Sequence, residues 1–252
     1  MSLIPFSYWG DDEVVVNTIN QDGLILFQDA LDSASYPGSG INWNDTINGV
    51  TGQLQNGPVW NSAGHFTFDG VNDQMEYLAT NTAPFLFGTG NFTMNCWVYI
   101  PDADTVWNLF KVQAPTGFAR CNFGFGTTSG GGIVAGRRMA FSMLNADAGT
   151  GRAAYSTIVT GLNNWKLLTF VRDGGNTFKL YANGVELAQT PTSTYGSANF
   201  NFDTTTNWFF SADTGDVNRF NNKVAFTYWY NRALTAAEIL ANFDVHKSRF
   251  GL

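Results

Sequence analysis

One stretch of the chain leaves the fewest options for its fold. Trp165–Arg172 (WKLLTFVR) is a run of aromatic, branched and large apolar residues; it meets the turn sequence Asp173-Gly174-Gly175 and resumes as Thr177–Ala182. Within FKLYA, Phe178, Leu180 and Ala182 share one face while Lys179 and Tyr181 share the other, the period of a strand. Asn183-Gly184 then supplies the two positive-φ positions of a type I′ hairpin, and VELAQ returns. The spacing predicts a three-stranded antiparallel meander. Further strands are predicted at Phe92–Ile100 (FTMNCWVYI), stopped by Pro101, at Trp208-Phe209-Phe210 and at Val224–Tyr230 (VAFTYWY). Composition extends this to the whole chain. Its 252 residues include 26 Asn, 26 Thr and 27 Gly but only 4 Glu, and 13% are charged. Asn and Gly suit turns and Thr suits strands, while scarce Glu and Lys starve surface helices. An all-β protein with many loops is expected, and a helical bundle, a doubly wound nucleotide-binding fold and a disordered chain are not.

One helix stands out. Thr235 and Glu238 form a capping box, followed by the apolar stripe Ile239, Leu240 and Phe243. It is expected to be short, about two turns, and to plug an end of the sandwich. Residues 1–22 differ from the remainder, with Phe6, Tyr8 and Trp9 ahead of an acidic cluster and VVV. They read either as an edge strand or as an arm that docks on a neighbouring subunit with its aromatics as anchors. From residue 23 to 252 the globular pattern is continuous, and Gly130-Gly131-Gly132 reads as a loop tip rather than a linker.

The net charge of −7 and the absence of any basic stripe argue against DNA or RNA as a partner. No run approaches the 18 or so apolar residues of a membrane span. The start MSLIPFSYWGDDE has no basic region of the secretory kind. Cys96 and Cys121 lie in apolar contexts and are expected as free thiols. The N-x-[ST] sequences at Asn44 and Asn91 carry almost no information without an export signal.

Several stretches together resemble a known family. They are SYPGSGINWNDTINGVTGQLQNGPVW (35–60), HFTFDGVNDQMEYL (65–78), NFTMNCWVYI (91–100), NNWKLLTFVRDGGNTFKLYANGVEL (163–187) and VAFTYWYNRALTAAEILANFDVHKSRFGL (224–252). A W-x-D-x-x-x-G loop, an FDG turn, a first long strand, an LY-x-NG hairpin and a closing NR-x-L-x-x-x-E-I segment follow in that order. The set resembles the concanavalin A-like jelly roll, in the branch of laminin-G-like domains common in bacteriophage and bacterial surface proteins. The resemblance implies a two-sheet antiparallel jelly-roll sandwich, all-β with one short C-terminal helix. It also implies sugar-binding loops or a concave sugar-binding face, and in some members Ca²⁺. The ending KSRFGL resembles phage structural members in particular.

Glucanases of this fold use an acid and a nucleophile about 5–5.5 Å apart, hence carboxylates alternating on one strand, usually as E-x-D-x-x-E. None of Glu13, Glu76, Glu186 and Glu238 begins that pattern. There is no G-x-S-x-G elbow and no phosphate loop, and His65 and His246 join no metal-spaced group. An enzyme is therefore not expected. For Ca²⁺, loop aspartates supply hard oxygens, with Asp69 and Asp73 as the candidate pair, although Asp69-Gly70 and Asn72-Asp73 read first as Asx-type turns between strands. For sugar, Tyr36, Trp43 and Asn44 in one loop, and Arg219 in the 213–220 loop, are the candidates, with core packing as the competing role for Trp43. Trp97, Trp165 and Trp229 lie within strands and are expected to be structural.

The leading expectation is a non-enzymatic bacteriophage virion protein: a capsid decoration, a knob, or a tail-fibre or baseplate module. It would be assembled in the host cytoplasm, with its own copies and other virion proteins as partners. The alternative is a carbohydrate-binding adhesion module, Ca²⁺-dependent or not, and a glycosidase comes third.

Overall fold

The computed structural model describes residues 18–101, 107–113, 120–129, 132–144, 151–174, 177–195, 207–211 and 219–252. Strands β1 (Leu24–Asp29), β2 (Asn42–Asn44), β3 (Thr51–Gln55), β4 (Val59–Asn61), β5 (His65–Thr67) and β6 (Gln74–Tyr77) come first. They are followed by β7 (Phe92–Ile100), β8 (Trp107–Gln113), β9 (Arg120–Ser129), β10 (Gly132–Leu144) and β11 (Gly151–Ile158). Then come β12 (Asn164–Arg172), β13 (Phe178–Ala182), β14 (Val185–Leu187), β15 (Gln189–Tyr195), β16 (Trp208–Phe210) and β17 (Lys223–Tyr230), before helix α1 (Ala236–His246). An eight-stranded sheet runs β14-β13-β12-β7-β17-β5-β4, with β1 also paired to β17; a nine-stranded sheet runs β15-β11-β10-β9-β8-β16-β6-β3-β2. Among the described residues every pairing is antiparallel. The two sheets stack as the jelly-roll sandwich that the resemblance implied. Among the described residues no helix is long and apolar enough to cross a membrane.

Alternation along the strands builds the core between the sheets. On β7, Phe92, Met94, Cys96, Val98 and Ile100 point inward, and Leu168 and Phe170 of β12 join them. They meet Met75, Tyr77, Trp107, Phe123, Phe125 and Phe141 from the facing sheet. Trp229 is a hub of this layer, its ring 4.6 Å from Phe85, 5.0 Å from Phe110, 5.5 Å from Trp208 and 5.8 Å from Tyr77. Buried Gln28 ties the sheets together, donating to the Trp43 carbonyl and accepting from the Tyr77 hydroxyl. Both cysteines are free and fully enclosed, and burial pushes both thiols up.

A second apolar layer lies on the outside of the eight-stranded sheet. The register of β17 shifts between Val224 and Phe226, so Ala225 and Phe226 both face outward, with Tyr228 and Tyr230 following. Helix α1 and the turn Lys247–Phe250 cover them, with Phe243 and Phe250 stacked on Trp97 at 5.7 and 4.3 Å. The capping box of Thr235 and Glu238 is formed as expected. The expected placement is corrected: α1 does not plug an end of the sandwich but closes a sheet face, because its stripe and the bulged strand supply matching apolar surfaces. Arg249 locks the ending down through a two-pronged pair with Asp29 at 2.7 and 3.0 Å and a bond to the Gly64 carbonyl.

Candidate functional site

The outer face of the nine-stranded sheet carries the strand residues that alternate with its core. On β6, Met75 and Tyr77 fill the core, so Gln74 and Glu76 face outward; on β9, Cys121 and Phe123 are inward and Asn122 is outward. Register lines these residues into one row across the sheet: Asn42, Gln53, Glu76, Phe209, Lys111, Asn122 and Ser142 are successive partners from β2 to β10. At about 4.8 Å per strand the row is about 29 Å long.

The face around Glu76 is organised by hydrogen bonds to that one carboxylate. Gln55 donates to Glu76 Oε2 at 2.6 Å and Asn207 donates to Oε1 at 2.5 Å. Gln74 donates to Gln55 Oε1 at 2.7 Å, and Arg219 donates to Gln74 Oε1 at 3.2 Å. The Ala79 amide donates to Asn207 Oδ1 at 2.8 Å. Every donor in this chain points toward Glu76, so the bonds polarise one another and the amide groups are held in one orientation. Beside it, half-buried Phe209 presents a ring between Glu76 and Lys111. Towards β9 and β10 the outward residues Lys111, Asn122 and Ser142 are at most 9% exposed, screened from water although they face away from the core. A pre-ordered carboxylate, amides and an aromatic face are the groups that bind a polyhydroxylated ligand: acceptors and donors for hydroxyls, a ring for the apolar side of a sugar.

The predicted sugar candidates divide. Arg219 anchors the end of the chain of donors, and Asn44 lies on the same sheet face at β2, where its Oδ1 accepts from the Thr51 hydroxyl at 3.2 Å. Trp43 and Tyr36 are corrected. Trp43 is 0% exposed and lies 4.9 Å from Phe66, and Tyr36 is buried against Phe66 and Trp60. A ring enclosed in the core offers no face to a pyranose. The loop around them is closed by Asp45, which accepts from the amides of Phe27, Ile47 and Asn48. Gln53, Gln55, Glu76, Asn207, Phe209 and Asn122 were not singled out as ligand contacts; the one available signal was that Glu76 is one of four glutamates.

Asp69 and Asp73 hold a turn together. Asp69 Oδ1 accepts from the amides of Val71, Asn72 and Asp73, and Asp73 Oδ2 accepts from the Asp69 amide. The amide of Val71 above all holds the Asp69 carboxyl below its ordinary range, while burial raises that of Asp73. No group of three or more His, Cys, Asp or Glu side chains able to hold a metal occurs among the described residues. Phe6, Tyr8 and Trp9 of the predicted arm lie outside the described residues. An apolar cavity of about 250 Å³ opens on the opposite side of the molecule, lined by Leu24, Phe27, Ile47, Val245 and His246 among others.

The family model for laminin-G-type domains of the concanavalin A-like lectin/glucanases superfamily matches residues 72–240. Among solved structures, the Trypanosoma rangeli sialidase in complex with sialic acid is similar over 90% of this chain, with a TM-score of 0.64 at 16% identity. The botulinum neurotoxin serotype G binding domain is similar over 89%, with a TM-score of 0.63 at 15% identity. This chain spans 33% of the sialidase chain and 51% of the toxin chain. At these identities the likeness is one of fold. No curated protein sequence matches the chain. The expectation that the protein is not an enzyme is corrected by these neighbours: the same fold forms part of chains that are sialidases. A missing E-x-D-x-x-E pair tests for one two-carboxylate arrangement and gives no ground for setting enzymes aside.

Proposed function

The chain belongs to the laminin-G-type branch of the concanavalin A-like lectin/glucanases superfamily, and from that premise we propose that it recognises carbohydrate through the outer face of its nine-stranded sheet. The observation that carries this reading is the set of donors converging on Glu76 beside the ring of Phe209. Glu76 keeps lone pairs beyond the two amide bonds, and a carboxylate accepts from two neighbouring hydroxyls of one sugar ring. Phe209 supplies the apolar surface on which the C–H side of that ring rests. The neighbours lend support of a general kind: one is a toxin binding domain and another a sialidase bound to sialic acid.

A glycan array probed with the full chain, with and without Ca²⁺, tests the proposal. Glu76→Gln and Phe209→Ala should each weaken the strongest array signal at least tenfold, since each removes a charge-assisted bond or the stacking surface. Both positions are outside the core, so melting temperatures should stay within a few degrees of the parent. A blank array, or signals that neither substitution changes, would sink the reading.

A second reading places the domain on a bacteriophage particle, with copies of itself and other virion proteins as partners. It rests on the resemblance of the KSRFGL segment to phage structural members. A mass-spectrometric inventory of purified virions containing the protein would support it, and its absence from them would remove it.

A further inference from the structure

Glu76 is the one acid of the row, and among the described residues it forms no ion pair. The groups around it are neutral amides: Gln53 beside it on β3, and Gln55 and Asn207, which donate to it. Arg219, at the head of the chain of donors, donates to Gln74 Oε1 at 3.2 Å and to the Asn72 carbonyl at 3.4 Å. A face built for neutral hydroxyls alone needs no charge here, because an amide both accepts and donates and costs less to take out of water. Half-burying a carboxylate among amides leaves its charge uncompensated, and a cation relieves that cost. The place is open to one. Glu76 and Phe209 are direct cross-strand partners, each half-buried, with Cβ atoms about 5 Å apart. Gln53, half-buried on the other side of Glu76, has no side-chain hydrogen bond among the described residues.

We propose that the glycan taken by this face carries a protonated amine, which pairs with Glu76 while the sugar ring rests on Phe209; the proposal rests on the carbohydrate reading above. An ammonium only donates, and the two oxygens of Glu76 keep lone pairs beyond those that Gln55 and Asn207 occupy. The resulting bond is charged on both sides and stronger than the one a hydroxyl makes. A substituent at the rim of a sugar ring lying on Phe209 projects sideways, over the neighbouring strand, where Glu76 stands. Lys111 lies on the other side of Phe209, so like charge turns the amine away from β8 and toward β6. Acetylation of the amine removes its charge and leaves the sugar with no more than a hydroxyl offers to this carboxylate.

The test uses three probes that differ at one substituent of each ring: the β-1,4-linked tetramers of glucosamine, of N-acetylglucosamine and of glucose. Calorimetric titration of the full chain, at mildly acidic pH where the amines carry protons, should show the glucosamine tetramer binding about tenfold more tightly than either of the others, the value of one charge-assisted bond. Added salt should narrow that margin. Glu76→Gln and Glu76→Ala should each bring the three tetramers within about twofold of one another, and circular dichroism and melting check that both variants are folded. Because the chain carries a net charge of −7, a cationic sugar is also drawn to it without any site. Asp244→Asn controls for this by removing one charge from an exposed position of α1, and the preference should survive it. Equal affinity for the three tetramers in the parent, a preference that survives both Glu76 substitutions, or one that Asp244→Asn reduces as much, overturns the proposal. If no tetramer binds while other glycans on the array do, the proposal also fails and the carbohydrate reading stands. A blank array removes both.

Discussion

Two glycines in neighbouring turns separate backbone conformation from packing. Gly174 has φ +69° with nothing within 4 Å of where a Cβ would stand. Gly184, the second residue of the Asn-Gly hairpin, has φ +80°, and a Cβ there would lie 2.9 Å from Leu240 Cδ1 and 3.0 Å from Leu240 Cα. Gly174→Ala should therefore cost only the left-handed conformation, about 1 kcal/mol. Gly184→Ala should cost about 3 kcal/mol, because it also drives the hairpin away from the backbone of α1. Urea unfolding of the two variants measures the difference; equal losses would show that the hairpin and helix part freely. The Asn-Gly pair announced its turn from sequence, but not that the turn abuts a helix some fifty residues on. Tyr36 and Trp43 show the same limit from the other side. They lie in a glycine-rich loop, where exposed aromatics would serve a sugar, yet the loop folds back and buries both rings against Phe66. Residue type and loop context do not say which way a side chain turns once Asp45 has drawn the loop closed.

Among the elements, α1 shows how a local signal carries a measurable pH dependence. Glu238 accepts from the Thr235 amide and hydroxyl and from the Arg232 guanidinium. Arg232 above all holds its carboxyl down at about 2, against an ordinary value of 4.5. Since the folded value is the lower one, the stabilisation is fully present above about pH 4.5 and is lost as pH falls towards 2. With its side chain 27% exposed, solvent screening keeps the contribution near 1 kcal/mol. The melting temperature of Glu238→Gln should accordingly lie below that of the parent at pH 6 and converge with it near pH 2. A gap that stays constant over that range would assign the effect to shape rather than charge.

The capping box, the meander and the long strand β7 were all legible, because each is written in contiguous residues. The candidate site was not. Its members come from β3, β6, β8, β9 and β16, and on each strand the outward residue looks like ordinary alternation. Only pairing register makes neighbours of Glu76, Phe209, Lys111 and Asn122, and it joins strands as distant in the chain as β6 and β16. The bulge in β17 was likewise hidden: VAFTYWY reads as an unbroken strand, and the two successive outward residues emerge only from its shifted pairing with β7.

At the scale of the molecule, the two sheets have opposite fates. The outer face of the eight-stranded sheet is sealed by α1 and the chain's ending, which makes it a second core. The outer face of the nine-stranded sheet carries amides, a carboxylate and a half-exposed ring. If the nine-stranded face recognises carbohydrate as proposed, stability and recognition belong to opposite sides of one sandwich, and they should separate under mutation. Arg249 is the place to test this. Its guanidinium pairs with Asp29 through Nη1 and Nη2 while the two side chains are only 18% and 12% exposed, and it rests 5.1 Å from the Phe226 ring. Arg249→Ala strands a buried carboxylate and loosens the ending over Trp97, a loss of about 3 kcal/mol. For a domain of this size that corresponds to a fall in melting temperature of about 6–12 °C. Below that lowered melting temperature, glycan affinity should remain within about twofold of the parent, because the whole inter-sheet core stands between Arg249 and Glu76. A parallel loss of binding in the folded variant would mean that the two faces are coupled through the core, and would move the recognition surface toward the sealed side.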